Sequence, residues 1–247
     1  MSFPFNEIDF KRNAVEPIEC IKAGWNLIKS QYWLFVGMTI VGIIIGSVVP
    51  LGILMGPMMC GMYLALFHTR RGQPIEFGLL FKGFDYFGDS VIATLLHMVP
   101  VLIVVIPSYL LFYVGIFLAI PRGGGEPDPR ALLGLFGFMA IFWLMIVILL
   151  IVLSVAFTFA YPLIVDRRLS GLNAVKLSIR AALANFWRLL GMLLLTGLLS
   201  FAGVFLCYVG VFLVMPLGFA AIAMAYEQVF GLGHVEPNMP PPPPLFS

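Results

Sequence analysis

Residues 30–67 read SQYWLFVGMTIVGIIIGSVVPLGILMGPMMCGMYLALF, 38 consecutive positions without a formal charge. A single α-helix of that length would be ~57 Å long, against a hydrocarbon core of ~30 Å. The run must therefore fold back. Pro50, Gly52, Gly56 and Pro57 lie at its centre and are expected to break it, because proline lacks an amide donor and glycine permits the turn. The stretch predicts a membrane hairpin. Leu189–Tyr226 offers the same pattern, again 38 uncharged residues, with Gly210 and Pro216 near the middle.

The two runs match in more than length. Tyr32-Trp33 and Gly37-Met38 recur 154 positions later as Phe186-Trp187 and Gly191-Met192, and Pro57 aligns with Pro216 after a five-residue insertion. Between them lie Ser90–Pro121, 32 uncharged residues, and Ala131–Val165, 35 more, long enough for one tilted crossing and an extension beyond the bilayer. A second likeness links Tyr113–Pro121 (YVGIFLAIP) to Tyr208–Pro216 (YVGVFLVMP), with six identities at a separation of 95. Gly52 with Pro57, Gly115 with Pro121, and Gly210 with Pro216 are read as the three hairpin breaks.

Three amphipathic segments precede these runs. In Ala14–Lys29, Ile18, Ile21, Trp25 and Ile28 recur at helical spacing against Glu19, Lys22, Asn26 and Lys29. Glu76–Asp89 and Asn173–Arg188 are similar. The predicted fold is an all-α membrane bundle of six spans, arranged as three parallel hairpin units at about 14–69, 76–165 and 170–231, each introduced by an interfacial helix. One membrane domain covers residues 1–235, and a proline-rich tail follows over 236–247.

Composition agrees. The 247 residues are 61% apolar and 11% charged, and the mean hydropathy is +1.04, whereas soluble domains are about 45–50% apolar and 25% charged. A net charge of +2 gives no footprint for nucleic acid. Cys20, Cys60 and Cys207 are too scattered for a disulfide framework or a zinc site. The acidic and basic residues between Glu7 and Glu19 do not follow the order of a cleavable signal, so the first span is expected to be retained.

Orientation follows from the basic residues, which accumulate in cytoplasmic loops. With six spans and both termini cytoplasmic, 12 of the 14 lysines and arginines lie inside, and only Arg122 and Arg130 lie outside. With four spans the division would be 6 inside and 8 outside.

The spans carry no formal charge, which argues against a proton-coupled pump or a voltage sensor. His97 is the one titratable candidate for a polar intramembrane site, set against the commoner interhelical hydrogen bond. Asp166 could be a catalytic carboxylate or an acid paired with Arg167 and Arg168 at a helix end. Those two arginines with Lys176 and Arg180 form the densest basic patch, topogenic in the first instance and a candidate for anionic lipid headgroups. Gly42 to Gly46 is a GxxxG suited to close helix packing. No catalytic constellation, metal set or cofactor motif is present in the sequence. Pro240–Pro244 is a polyproline II segment, either a docking peptide for a protein partner or a solvated terminus.

Tyr161-Pro162-Leu163-Ile164-Val165-Asp166, then Gly171, Ala174 and Ser178, and further on Cys207-Tyr208-Val209-Gly210 and Pro216, resemble bacterial inner-membrane proteins of the YciC type. So do Pro57 with Gly61-Met62-Tyr63 and Leu80-Phe81-Lys82-Gly83-Phe84. The membrane part is also similar to one fused to some glycerophosphodiester phosphodiesterases. Where such families often carry an acid before the alanine, this chain has Asn173, so no acidic site is carried over. The resemblance, over residues 20–230, implies a bacterial cytoplasmic-membrane location and supplies no activity. The expected role is that of a non-catalytic scaffold or lipid-interacting factor in envelope maintenance. The alternative is a transporter or channel for an apolar or lipid-like solute.

Overall fold

The structure is a computed structural model and describes residues 9–49, 52–119, 129–205 and 209–233. Among these residues there are helices and no strand. The helices are α1 (Pro17–Ile28), α2 (Tyr32–Val48), α3 (Met55–Arg70), α4 (Phe87–Ala119), α5 (Pro129–Ala156), α6 (Ala160–Arg167), α7 (Gly171–Ala184), α8 (Phe186–Val204) and α9 (Val209–Phe230), with a 3-10 segment at Phe77–Tyr86. Five stretches are long and apolar enough to cross a membrane, namely Pro17–Val48, Phe77–Phe117, Leu133–Arg167, Phe186–Val204 and Gly210–Phe230. The chain is a membrane protein of many helices, and the outward faces of α2, α5 and α8 carry exposed Ile44, Phe136, Ile141, Leu198 and Phe201.

The described residues fall into two compact units. The smaller spans Leu96–Ser154 and comprises most of α4 and α5. There Tyr109 meets Trp143 edge-on at 5.9 Å, and Gly115 leaves the room that the Leu135 side chain occupies.

The larger unit holds the rest. Within it α1, α2 and α3 begin at Pro17, Tyr32 and Met55, and α7, α8 and α9 begin 154 positions later at Gly171, Phe186 and Val209. Burial keeps the same register. Cys20 and Ala174, Gly24 and Ser178, Ile28 and Ala182, Phe35 and Leu189, and Met38 and Met192 are all buried, while Trp33 and Trp187 are 74% and 79% exposed.

Each short segment packs on a helix from elsewhere in the chain: α1 on α9, the 3-10 segment on α3, and α7 on α6. Small residues make each contact close. A Cβ on Gly24 would stand 2.9 Å from the Ala221 amide nitrogen, and one on Gly83 would overlap the Pro57 carbonyl. At the third contact Ser178 donates to the Ala156 carbonyl at 2.7 Å and accepts from the Phe159 amide at 3.1 Å. The Asp89 carboxylate accepts from the Gly171 amide at 2.9 Å and so satisfies a donor at the N-terminus of α7.

Several expectations change. The second amphipathic segment is a 3-10 helix rather than an α-helix, and its buried Leu80 and Gly83, with half-buried Tyr86, recur every three residues, the period of a 3-10 turn. Ala131–Val165 does not continue as one helix, since α5 ends at Ala156 and Phe157–Phe159 turn into α6. The first break is at Gly52, whose φ of +61° suits glycine, but Pro57 already lies in the first turn of α3, where its missing amide would have no helical partner. Gly115 and Pro216 do not break their helices. Gly115 lies within α4 and Pro216 eight residues into α9, both in apolar helices that tolerate such residues in a membrane. Gly210 opens α9 rather than preceding it and packs against the Gly203 backbone. The YVG stretches thus differ in position: Tyr113–Ala119 closes α4, and Val209–Pro216 opens α9. Pro50, Pro121 and Tyr208 lie outside the described residues.

Candidate functional site

The densest polar cluster lies where the C-terminal ends of α3, α6 and α9 meet. Its centre is Asp166, whose side chain is wholly inaccessible. Arg71 Nη2 donates to Oδ1 at 2.7 Å, while the Tyr226 hydroxyl and the Gly233 amide each donate to Oδ2 at 2.8 Å. Arg167 Nε stands 3.4 Å from the same oxygen, and Arg167 Nη2 donates to the carbonyls of Phe230 and Gly231 at 3.1 and 3.2 Å. Arg70 grips Glu227 with both Nε and Nη2, at 2.7 and 2.9 Å.

The local sequence explains the arrangement. Helix C-termini present unpaired carbonyls and partial negative charge, and Arg70, Arg71 and Arg167 lie where cations are favoured. Gly231, at φ +67°, turns the chain after α9 and donates to the Glu227 carbonyl at 2.8 Å. That turn brings the Gly233 amide to Asp166. The Arg71–Asp166 link spans 95 residues, so the cluster ties three separate stretches of chain. With both oxygens engaged and its side chain buried, Asp166 joins the three helix ends as a structural clasp. Pairing with arginine is observed as expected, but the closest partner is Arg71 and not the adjacent Arg167.

The other predicted residues divide. Arg167 is committed to the clasp. Arg168 is exposed at the left-handed end of α6, with the Tyr86 hydroxyl within hydrogen-bonding reach. Lys176 and Arg180 are exposed on α7 in line with exposed Leu172 and Leu183, a mixed basic and apolar face that suits a lipid interface. Of the four residues of the predicted basic patch, Arg167 is drawn into the clasp and the other three are exposed. His97 is half-buried in α4 and belongs to the smaller unit, whereas Gly52, Pro57, Gly210 and Pro216 belong to the larger. Pro240–Pro244 lies outside the described residues. Among the described residues no three His, Cys, Asp or Glu side chains are grouped to hold a metal ion.

Two clefts open in the larger unit, and the sequence had marked neither. One, of about 530 Å³, is bounded by His68, Gln73, Pro74, Glu76, Gly78, Leu79 and Lys82. The other is a seam of about 20 Å³ among Met38, Met55, Met58, Met59 and Met62, closed off by Leu80 and Phe219. The seam has room for little more than a water molecule. The first cleft escapes sequence reasoning because its residues come from a helix end, a loop and a 3-10 turn, and no spacing rule connects them.

No family model matches the chain, and no curated protein and no solved structure matches it either.

Proposed function

We propose that the protein is a six-span, non-catalytic scaffold or lipid-interacting factor of a bacterial cytoplasmic membrane. Both termini are cytoplasmic, and α2–α3, α4–α5/α6 and α8–α9 form three parallel hairpins. The reading rests above all on the Asp166 clasp, which locks three helix ends together with its carboxylate buried and paired. The common 154-residue offset of α1–α3 and α7–α9 supports the repeat. The circular packing of α1 on α9, the 3-10 segment on α3 and α7 on α6 supports a threefold arrangement. In this topology the clasp, the three short segments and Lys176 with Arg180 all lie at the cytoplasmic face, and the Pro240–Pro244 tail is available there to a protein partner. The narrowness of the methionine seam weighs against passage of a solute through that part of the bundle.

Purification in mild detergent followed by mass spectrometry tests the role. Native phospholipid or a stoichiometric protein partner is expected to be retained, and finding neither would overturn the reading. The double variant Lys176→Ala/Arg180→Ala is expected to reduce retention of anionic lipid by roughly thirtyfold, at about 1 kcal/mol per basic residue. Unchanged retention would remove α7 from the lipid-binding surface.

A further inference from the structure

The cleft beside the 3-10 segment combines features that the clasp and α7 lack. The segment has three residues per turn, so its side chains form three rows. Leu80, Gly83 and Tyr86 face the protein, and Gly83 is pressed on the backbone of α3. Phe81, Phe84 and Phe87 form a second row, each exposed by 37–45%, with the Phe77 ring tilted against Phe81 at 6.3 Å. Glu76, Leu79 and Lys82 form the third row, which is one wall of the cleft; His68, from the last turn of α3, stands on the other. An apolar aromatic row and a charged row thus run side by side on one short element, the arrangement of a segment lying at a bilayer interface.

The charges of the cleft are unspent. Neither Glu76 nor Lys82 forms an ion pair or a side-chain hydrogen bond with a described residue. Lys82 supplies one positive charge beside the His68 ring, and Glu76 supplies one negative charge. A volume of about 530 Å³ is within the ~300–1,000 Å³ of small-ligand sites. A purely anionic headgroup would meet Glu76 as a repulsion. A headgroup with a phosphate and a primary ammonium would satisfy both signs, and its acyl chains would run over the phenylalanine row.

We infer that this cleft binds the headgroup of a zwitterionic phospholipid bearing a primary amine, with Lys82 and His68 holding the phosphate and Glu76 holding the ammonium. The inference deepens the lipid-interacting reading and rests on it, but uses residues separate from those of α7.

The test is native mass spectrometry of the full chain equilibrated with equal amounts of dihexanoyl phosphatidylethanolamine, phosphatidylglycerol and phosphatidylcholine. The wild-type protein is expected to retain phosphatidylethanolamine at least fivefold over phosphatidylcholine. Glu76→Gln is expected to abolish that preference and to leave phosphatidylglycerol undiminished, while Lys82→Ala/His68→Gln is expected to lose both phosphatidylethanolamine and phosphatidylglycerol. All three residues lie at the edge of the fold, and an unchanged melting temperature verifies that the variants are folded. The inference is overturned if the wild type shows no preference, or if either cleft variant keeps it. Should Lys176→Ala/Arg180→Ala lower anionic lipid retention while the cleft variants behave as wild type, the lipid-interacting reading stands and this site falls. Retention of no lipid by the wild type removes both.

Discussion

Asp166→Ala is expected to be the most damaging single substitution in the larger unit. The carboxylate accepts from Arg71, Tyr226 and the Gly233 amide with its side chain fully buried. Its removal leaves the buried Tyr226 hydroxyl without its acceptor and the largely buried Arg71 guanidinium without its counter-charge, with only the Gly233 carbonyl at 3.2 Å to receive it. Losing one partner of a buried ion pair costs about 3–5 kcal/mol, far more than the pair contributes relative to an apolar replacement. At about 2–4 °C per kcal/mol for a chain of this size, the melting temperature in detergent should fall by on the order of 10 °C. Tyr226→Phe removes one hydrogen bond and is expected to cost about 1–3 kcal/mol. If the clasp acts as described, Arg71→Met combined with Asp166→Leu should be less destabilised than Asp166→Ala, since both charges are then gone. An Asp166→Ala protein with wild-type melting would mean that the three helix ends do not depend on the clasp.

Gly61→Val is expected to detach the 3-10 segment from α3. A Cβ at Gly61 would overlap the Leu80 carbonyl, and Gly83 from the opposite side meets the Pro57 carbonyl and Gly61 itself. The obstacles are backbone atoms, so no side-chain rotation relieves them. Overpacking of this kind costs about 1–3 kcal/mol or more, concentrated on one short element that a helix-length core does not hold elsewhere. Hydrogen–deuterium exchange should rise at residues 77–86 and stay low in α9. Gly78→Ala is the matched control, because a Cβ there meets nothing within 4 Å. Equal exchange in both variants would contradict the close approach.

The long uncharged runs made the helical membrane class legible, since lipid admits only helices and closed barrels, and barrel strands are segments of about ten alternating residues and not continuous apolar runs. The faces of the short helices were only partly legible. In α1 the stripe of Ile18 and Trp25 is exposed, and the buried face is Cys20, Gly24 and Ile28. A membrane-facing helix hides small residues against protein and shows large ones to lipid, so the largest apolar side chains do not mark the core. In α7 the apolar positions at helical spacing are buried as the pattern alone suggests, because Ala174 and Ala181 are small and Leu177 is central. Asp166 was visible as an acid among arginines, but its pairing with Arg71 depends on the return of α3 toward α6, which no local pattern encodes. The breaks were misplaced for a related reason: proline and glycine weaken a helix without fixing where it ends, and Pro216 remains inside α9.

The central claim is that α2 and α3 both cross the membrane, although α3, at 16 residues, is ~24 Å long and therefore needs local thinning of the bilayer. Single cysteines at Val49, Gly72 and Gly125, in a chain whose Cys20, Cys60 and Cys207 are replaced by alanine, decide it with a membrane-impermeant maleimide applied to intact cells. The six-span arrangement predicts labelling at positions 49 and 125 and protection at 72 until the membrane is opened. Labelling of 49 and 72 from the same side would contradict it.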